Sequence, residues 1–162
     1  MAKRESGEGL GIVTVLGLAL GVVGVICPDE APLLSMISLL APLLAMGNRI
    51  VLVPSERHPL AATDLYQVLE TSDVPAGVFN IVTGIRGPLL KTLAEHEDVD
   101  ALWVFASPED TALAERLSAG NLKRVFGDRG LAIDWHDDGE ASGRFFLRHA
   151  TQVKNIWIPY GE

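Results

Sequence analysis

A stretch near the start of the chain contains two short, nearly all-apolar runs separated by an apolar helical segment. The first run, residues 22–26, leads into a proline-bounded turn at residues 28–32, and the second run is residues 50–53. Gly47-Asn48 is a typical stop for the helix between them. A helix joining two apolar strands is what a parallel βαβ crossover requires, because such strands are covered on both faces. This order predicts an α/β fold with its ligand edge where the helix begins.

Strands and helices continue to alternate as far as residue 126. Further strands are predicted at residues 78–82, 100–105, 122–126 and 153–158, and further helices at residues 60–70, 89–95 and 108–118. Pro42 is expected to kink or break the first helix. Residues 134–143 are acidic and turn-rich, which predicts a loop, and residues 145–150 predict a short helical turn. The pattern as a whole predicts a Rossmann-like doubly wound parallel sheet.

Composition excludes several classes of protein. Hydrophobic residues make up 48% of the chain and charged residues 21%, which is too apolar for a disordered chain. The net charge of −8 argues against a nucleic-acid partner, because phosphate binding needs a concentrated basic face. A single cysteine, Cys27, rules out an internal disulfide framework and suits a reducing cytoplasm. Without Cys-x-x-Cys or His-Glu-x-x-His spacing, no metal site is expected.

Residues 10–27 allow two interpretations. Lys3 and Arg4 precede this apolar run, which is nearly long enough for a spanning helix and would anchor the protein in a membrane. The run is also rich in glycine and β-branched residues, which favours two strands, residues 12–16 and 22–26, with a turn near Gly17. We favour the two strands and keep the membrane anchor as the alternative.

Short motifs along the chain resemble those of a known family. The turn PDEAP at residues 28–32 and the segment GNRIVLVPSE at residues 47–56 keep the spacing of a Pro-Trp-Asn-Phe-Pro turn followed by Gly-Asn-x-Val-Val-x-Lys-Pro-Ser-Glu. Further matches lie at residues 74–84, 96–100, 106–107, 121–125 and 151–158. In this order and spacing, they resemble the aldehyde dehydrogenase superfamily. The resemblance implies that family's Rossmann-type cofactor domain.

The resemblance also implies how the chain is divided. We expect a frayed tail at 1–9, an aldehyde dehydrogenase-like domain at 10–133, a connector at 134–150 and an oligomerisation-type strand at 151–162. In the family, that last strand pairs with a neighbouring subunit. It carries the large apolar residues Ile156, Trp157 and Ile158. They favour a homo-oligomer, or assembly with a catalytic aldehyde dehydrogenase module. The alternative is that the strand folds back on the edge of its own sheet.

The family's cofactor contacts are only partly retained. Four positions are implied to bind NAD(P): Pro28, Ser55, Glu56 and Ser107. Glu56 keeps a carboxylate that can accept ribose hydroxyl bonds, although a carboxylate favoured at a helix start is an equal interpretation. Ser107 has its own alternative as an N-cap before Pro108. Three replacements weaken the site: Val53 for a ribose-contacting Lys, and Ala106 and Thr111 for glycines of the phosphate-facing turn. NAD(P) binding is therefore expected to be weak or lost.

The catalytic positions are degenerate. Glu30 stands where the family has an oxyanion-binding Asn, and a carboxylate there repels a developing alkoxide. Asp128 stands in the general-base position, but a surface turn at Gly127–Gly130 is the favoured interpretation. Cys27 lies in the wrong place for the nucleophile and is expected to be an inert core residue.

These departures resemble the non-catalytic carboxy-terminal module of two-module (family sixteen) aldehyde dehydrogenases. We therefore expect a module of this oxidoreductase family that is inactive alone and acts in structure or assembly. The alternative is an NAD(P)-dependent subunit that another chain completes.

Overall fold

The computed structural model describes residues 11–129, 133–142 and 144–159. Its strands are β1 (Gly11–Ala19), β2 (Val22–Ile26), β3 (Arg49–Val53), β4 (Phe79–Ile81), β5 (Ala101–Val104), β6 (Arg124–Gly127) and β7 (Thr151–Pro159). Its helices are α1 (Pro32–Ala45), α2 (Leu60–Glu70), α3 (Arg86–Glu95), α4 (Pro108–Leu117), α5 (Asp138–Ala141) and α6 (Arg144–His149), with a 3₁₀ turn at Ser118–Asn121 after α4. The predicted tail at 1–9 lies outside the described residues.

Five of the strands form one parallel sheet in the order β4-β3-β2-β5-β6. The chain moves outward from β2 through β3 to β4, then returns to the other side of β2 and continues through β5 to β6. The order reverses between β2 and β5, which is the position where doubly wound sheets bind ligands. The predicted α/β fold with a doubly wound parallel sheet is confirmed.

Helices cover both faces of this sheet, which explains its continuous apolar strands. All four residues of β5 are buried, and alternate residues enter separate hydrophobic clusters. Ala101 and Trp103 face the cluster that contains α1, whereas Leu102 and Val104 face the cluster that contains α3 and α4. Burying one large apolar side chain contributes about 2 kcal/mol, so the two clusters stabilise the sheet from both sides.

The remaining two strands form a separate antiparallel ribbon, in which Gly11 of β1 faces Pro159 of β7. The predicted turn near Gly17 is wrong, because Gly17 pairs with Val153 and the strand continues to Ala19. The break comes instead at Gly21, whose φ of 120° suits glycine. The side chains of Ile156, Trp157 and Ile158 lie outside the described part of the structure. No helix among the described residues combines the length and apolarity needed to cross a membrane.

Two other local predictions need correction. Of the kink or break expected at Pro42, the break is wrong, because α1 continues through Pro42 to Ala45 and the Met46 N–H donates to the Pro42 carbonyl at 3.1 Å. The predicted loop at 134–143 contains α5, because Asp137 Oδ1 accepts from the backbone N–H groups of Gly139 and Glu140 at 2.7 and 3.1 Å. The connector also supplies buried side chains to the α1-facing cluster: Trp135, Ala141, Phe146 and Ala150.

Candidate functional site at the carboxyl edge of the sheet

Three loops meet at one carboxylate where the parallel strands β2, β3 and β4 end. Asp29, in the loop after β2, accepts a hydrogen bond from Ser55 Oγ at 2.7 Å. Arg86, the first residue of α3, places Nη2 2.7 Å from the same Asp29 oxygen. Because β3 pairs with both β2 and β4 in parallel register, their carboxyl ends are neighbours. Asp29 therefore ties together the loops that follow all three strands.

The Asp29–Arg86 contact is a shielded ion pair. The Arg86 side chain is only 16% exposed, and its Nε and Nη2 atoms are buried without an aligned hydrogen-bond partner among the described residues. Arg57 adds little, because its Nε lies 3.8 Å from Asp29 and its side chain is 79% exposed. Burial alone would raise the pKa of the Asp29 carboxyl, but the Ser55 hydrogen bond and the Arg86 charge hold that pKa below its usual range.

The predicted ribose-binding residues take part in this internal network. Ser55 is buried, and its hydroxyl also accepts from the His58 N–H at 3.1 Å. Glu56 is exposed, and its Oε2 accepts from the Arg86 backbone N–H at 3.0 Å. A carboxylate at this position neutralises the positive end of α3. Pro28 is buried beside Asp29. The cofactor roles of Pro28, Ser55 and Glu56 remain predictions.

The turn that faces phosphate in the family is filled by side chains here. Ser107 caps α4, because its Oγ accepts from the Asp110 N–H at 3.1 Å. Thr111 is buried, and its hydroxyl donates to the Ser107 carbonyl at 3.1 Å. Thr111 also packs against Gly127, where an added Cβ would lie 2.5 Å from the Val104 carbonyl oxygen. The start of α4 is therefore closely packed against the ends of β5 and β6.

The degenerate catalytic positions differ in their surroundings. Glu30 is exposed in the turn before α1, and Asp128 is half-buried immediately after β6. Cys27 is fully buried at the end of β2, and burial raises the pKa of its thiol to about 12, with Arg86 opposing the effect. A thiol in this state is almost entirely protonated near neutral pH and is a poor nucleophile. The described residues contain no group of His, Cys, Asp or Glu side chains suited to a metal ion.

Sequence reasoning missed Arg86 and the role of Asp29. The resemblance marked residue 29 only as a replaced aromatic position, and Arg86 lies two residues beyond the quoted motif that ends at Gly84. The sequence did contain a signal for an ion pair: an acidic residue follows one predicted strand, and a basic residue begins a later helix. Because the carboxyl ends of parallel strands lie at one edge of the sheet, two such residues can meet there. The pairing itself depends on the strand order.

Comparison with known proteins identifies a family. The family model described as "Aldehyde dehydrogenase family" matches residues 6–130. A 2-hydroxymuconic semialdehyde dehydrogenase of Pseudomonas putida is 50% identical over 106 residues, which cover 65% of this chain and 21% of that protein. The betaine aldehyde dehydrogenase of Bacillus subtilis is 37% identical over 106 residues, or 65% of this chain and 22% of that enzyme.

Solved structures show the same likeness. An aldehyde dehydrogenase from Pseudomonas syringae, solved as a mutant with NAD⁺ and octanal, superposes with a TM-score of 0.69 at 34% identity, covering 71% of this chain and 24% of that one. An indole-3-acetaldehyde dehydrogenase without ligand gives a TM-score of 0.70 at 34% identity, covering 79% of this chain and 30% of that one. The chain thus spans about a fifth of the curated relatives named above. The motifs, the strand order and these matches together show that the chain belongs to the aldehyde dehydrogenase family of oxidoreductases.

Proposed function

We propose that this chain is a non-catalytic module of the aldehyde dehydrogenase family that does not oxidise aldehydes alone and acts in structure or assembly. The observation that carries the proposal is the state of Cys27, the one cysteine among the 162 residues. Aldehyde oxidation in this family needs a thiolate that attacks the carbonyl before hydride leaves to the nicotinamide. Cys27 is fully buried with a raised pKa, so it meets neither the access nor the charge requirement.

The carboxyl edge of the sheet supports the same proposal. Ser55 Oγ is engaged with Asp29, and Glu56 Oε2 is engaged with the start of α3. Thr111 adds a packed side chain at the α4 turn, where glycine would allow a close backbone approach to pyrophosphate. If NAD(P) binds, Pro28, Ser55, Glu56 and Ser107 are the residues that would hold it, and the nicotinamide would supply a hydride acceptor. We propose that this binding is weak or lost.

The resemblance to the non-catalytic carboxy-terminal module of two-module aldehyde dehydrogenases also supports a role in structure or assembly. Members of the family are generally oligomeric, which supports a homo-oligomer or a catalytic aldehyde dehydrogenase module as partner. A second candidate is an NAD(P)-dependent subunit whose nucleophile comes from elsewhere. The Ser55 and Glu56 positions, retained from the family's cofactor motif, favour that candidate as the alternative.

The test is NADH and NADPH formation by the purified chain with a panel of short aldehydes. We expect no turnover above the rate without protein, with the Bacillus subtilis betaine aldehyde dehydrogenase as positive control. The Cys27→Ser variant is expected to match the unmodified chain. Turnover that survives this substitution would show that another residue carries the chemistry, and turnover lost with it would show that Cys27 is a nucleophile; either result contradicts the proposal.

A further inference from the structure

A basic cleft lies along β6, at the opposite side of the sheet from β4. Within the described residues β6 pairs only with β5, and the Phe126 side chain of β6 contacts the rings of Phe145 and His149 in α6. The cleft between them has a volume of about 420 Å³. Its lining side chains include two arginines, one histidine and two phenylalanines: Arg124, Arg129, His149, Phe126 and Phe145. Its two arginines place positive charge in this cleft, whereas the chain as a whole has a net charge of −8.

The aromatic part of the cleft is a rigid stack. The His149 ring lies parallel to Phe126, with ring centroids 3.9 Å apart and planes inclined by 10°. Phe145 meets the His149 ring edge-on with centroids 4.9 Å apart, and its ring is tilted by 57° against Phe126 at 5.8 Å. The Phe145 side chain is 51% exposed, so it offers apolar surface to an incoming molecule. Rings packed in this way lose little freedom when a ligand arrives.

The two arginines differ in how far they are engaged. Arg129 Nη2 lies 2.9 Å from Glu115, which neutralises its charge locally. Arg124 Nη1 donates to the Thr151 carbonyl at 2.9 Å, which fixes the guanidinium in place without neutralising it. A guanidinium has five N–H donors in a planar fork, and that fork matches a carboxylate. Arg124 is therefore oriented by the protein and still carries donors for an acid group.

The charge balance around His149 also favours an anion. Burial lowers the pKa of His149, and the neighbouring positive charge of Arg124 lowers it further. Arg124 and Arg129 line the same cleft as His149, and the described acidic contact, Glu115, is made to Arg129. A bound anion would offset the repulsion between Arg124 and a protonated His149. The cleft thus combines a guanidinium held by a neutral backbone carbonyl with an apolar ring wall.

We propose that this cleft binds a small organic carboxylate, with Arg124 holding the acid group and Phe145 contacting the carbon frame. The site is separate from the Asp29 network, and it does not depend on the proposed function. Carboxylate oxygens accept paired N–H bonds from arginine, and a flat hydrocarbon frame adds contact with the rings. Benzoate supplies both parts of this ligand, whereas acetate supplies only the acid group.

The test is a pH titration of the histidine ring resonances by NMR, with and without benzoate at about 10 mM. His149 is assigned from the spectrum of a His149→Asn variant. We expect benzoate to raise the pKa of His149, with acetate binding more weakly. An unchanged His149 titration in benzoate would overturn the proposal, and so would acetate binding as tightly as benzoate.

Variants identify the contacts. Arg124→Gln is expected to weaken benzoate binding about tenfold or more, because a charge-assisted bond is lost. Arg116→Gln removes the same charge from the exposed face of α4 and is expected to leave benzoate binding unchanged. If Arg124→Gln does not fold, Arg124→Lys replaces it in the test. This variant keeps the positive charge but loses the paired N–H donors of the guanidinium, so it is also expected to weaken benzoate binding. Phe145→Leu should weaken the binding of benzoate and leave the binding of acetate unchanged. Equal affinity in the Arg124 variants and the Arg116 control would contradict the assignment.

Discussion

At the scale of single residues, Asn48 is the polar centre of the fold. Its side chain is fully buried, and its Oδ1 accepts from the Leu20 N–H at 2.6 Å and the Gly21 N–H at 3.2 Å. Its Nδ2 donates to the Leu43 carbonyl at 3.0 Å and to the Ala150 carbonyl at 2.9 Å. One amide therefore joins the end of α1, the turn between β1 and β2, and the residue before β7. The sequence indicated Asn48 only as a helix stop, because three of these four partners are distant along the chain.

Asn48→Ala is expected to lower the free energy of unfolding by about 3 kcal/mol, because it leaves several buried backbone groups unpaired. Asn80→Ala is the matched control, since Asn80 is exposed and donates at 3.1 and 3.3 Å to Gly77 and Ile50. This control substitution is expected to lower the free energy of unfolding by less than about 1 kcal/mol. Urea unfolding followed by circular dichroism measures both. Equal losses in the two variants would refute the central role of Asn48.

Asp29 predicts a dependence of stability on acid pH. Its pKa is lower in the folded chain than the ordinary value of 3.8, so folding favours the ionised form. This stabilisation is complete above about pH 5 and is lost as the pH falls through the folded pKa. The difference in unfolding free energy between the unmodified chain and Asp29→Asn should be constant from about pH 5 to 7 and should shrink below about pH 4.

Asp64→Asn controls for the loss of one negative charge, because Asp64 is exposed on α2. Unfolding titrations across the acid range give the comparison for both variants. A stability difference for Asp29→Asn that stays constant down to about pH 3, or grows, would contradict the ion pair with Arg86.

At the scale of elements, the βαβ crossover could be predicted and the ribbon only in part. Apolar runs and proline or glycine boundaries located β2, α1 and β3, because both faces of those strands are buried. The length of β1 was underestimated, because its partner β7 lies more than a hundred residues away. Helix α5 was missed because it is four residues long and depends on one capping side chain.

The ribbon of β1 and β7 leads to a prediction about association. Among the described residues, each of these strands pairs only with the other, which leaves one open edge on each. Open strand edges recruit further strands through their unpaired backbone groups. We expect a dimer or larger species that is weakened by deleting residues 151–162. The five-stranded sheet contains none of the deleted residues, so it should persist.

Sedimentation velocity at tens of micromolar compares the full chain with this truncation. Deleting only residues 160–162, which lie beyond β7, is the matched control and should leave association unchanged. A monomeric full chain, or a dimer that survives loss of β7, would rule out the ribbon as the contact.

At the scale of the whole molecule, the family frame is kept while its ligand edge is occupied by the chain's own side chains. The fold was predictable because strand order follows from a right-handed crossover repeated in a doubly wound sheet. The positions of Ser55, Glu56 and Ser107 were predictable from motif spacing. The cap that Ser107 provides to the Asp110 N–H was also predicted, from the Ser107-Pro108 pair. The contacts of Ser55 with Asp29 and of Glu56 with Arg86 were not, because each joins loops that are distant along the chain.

Calorimetric titration of the purified chain with NAD and NADP at low salt tests this account most directly. Absence of turnover alone would also follow if the rest of an enzyme were missing, whereas dinucleotide binding reports on the described edge itself. With Val53, Ala106 and Thr111 in place of the family's contacts, we expect a dissociation constant weaker than about 10 μM, or no measurable heat. A dissociation constant tighter than about 10 μM, near −7 kcal/mol, would contradict the claim that the cofactor site is degenerate.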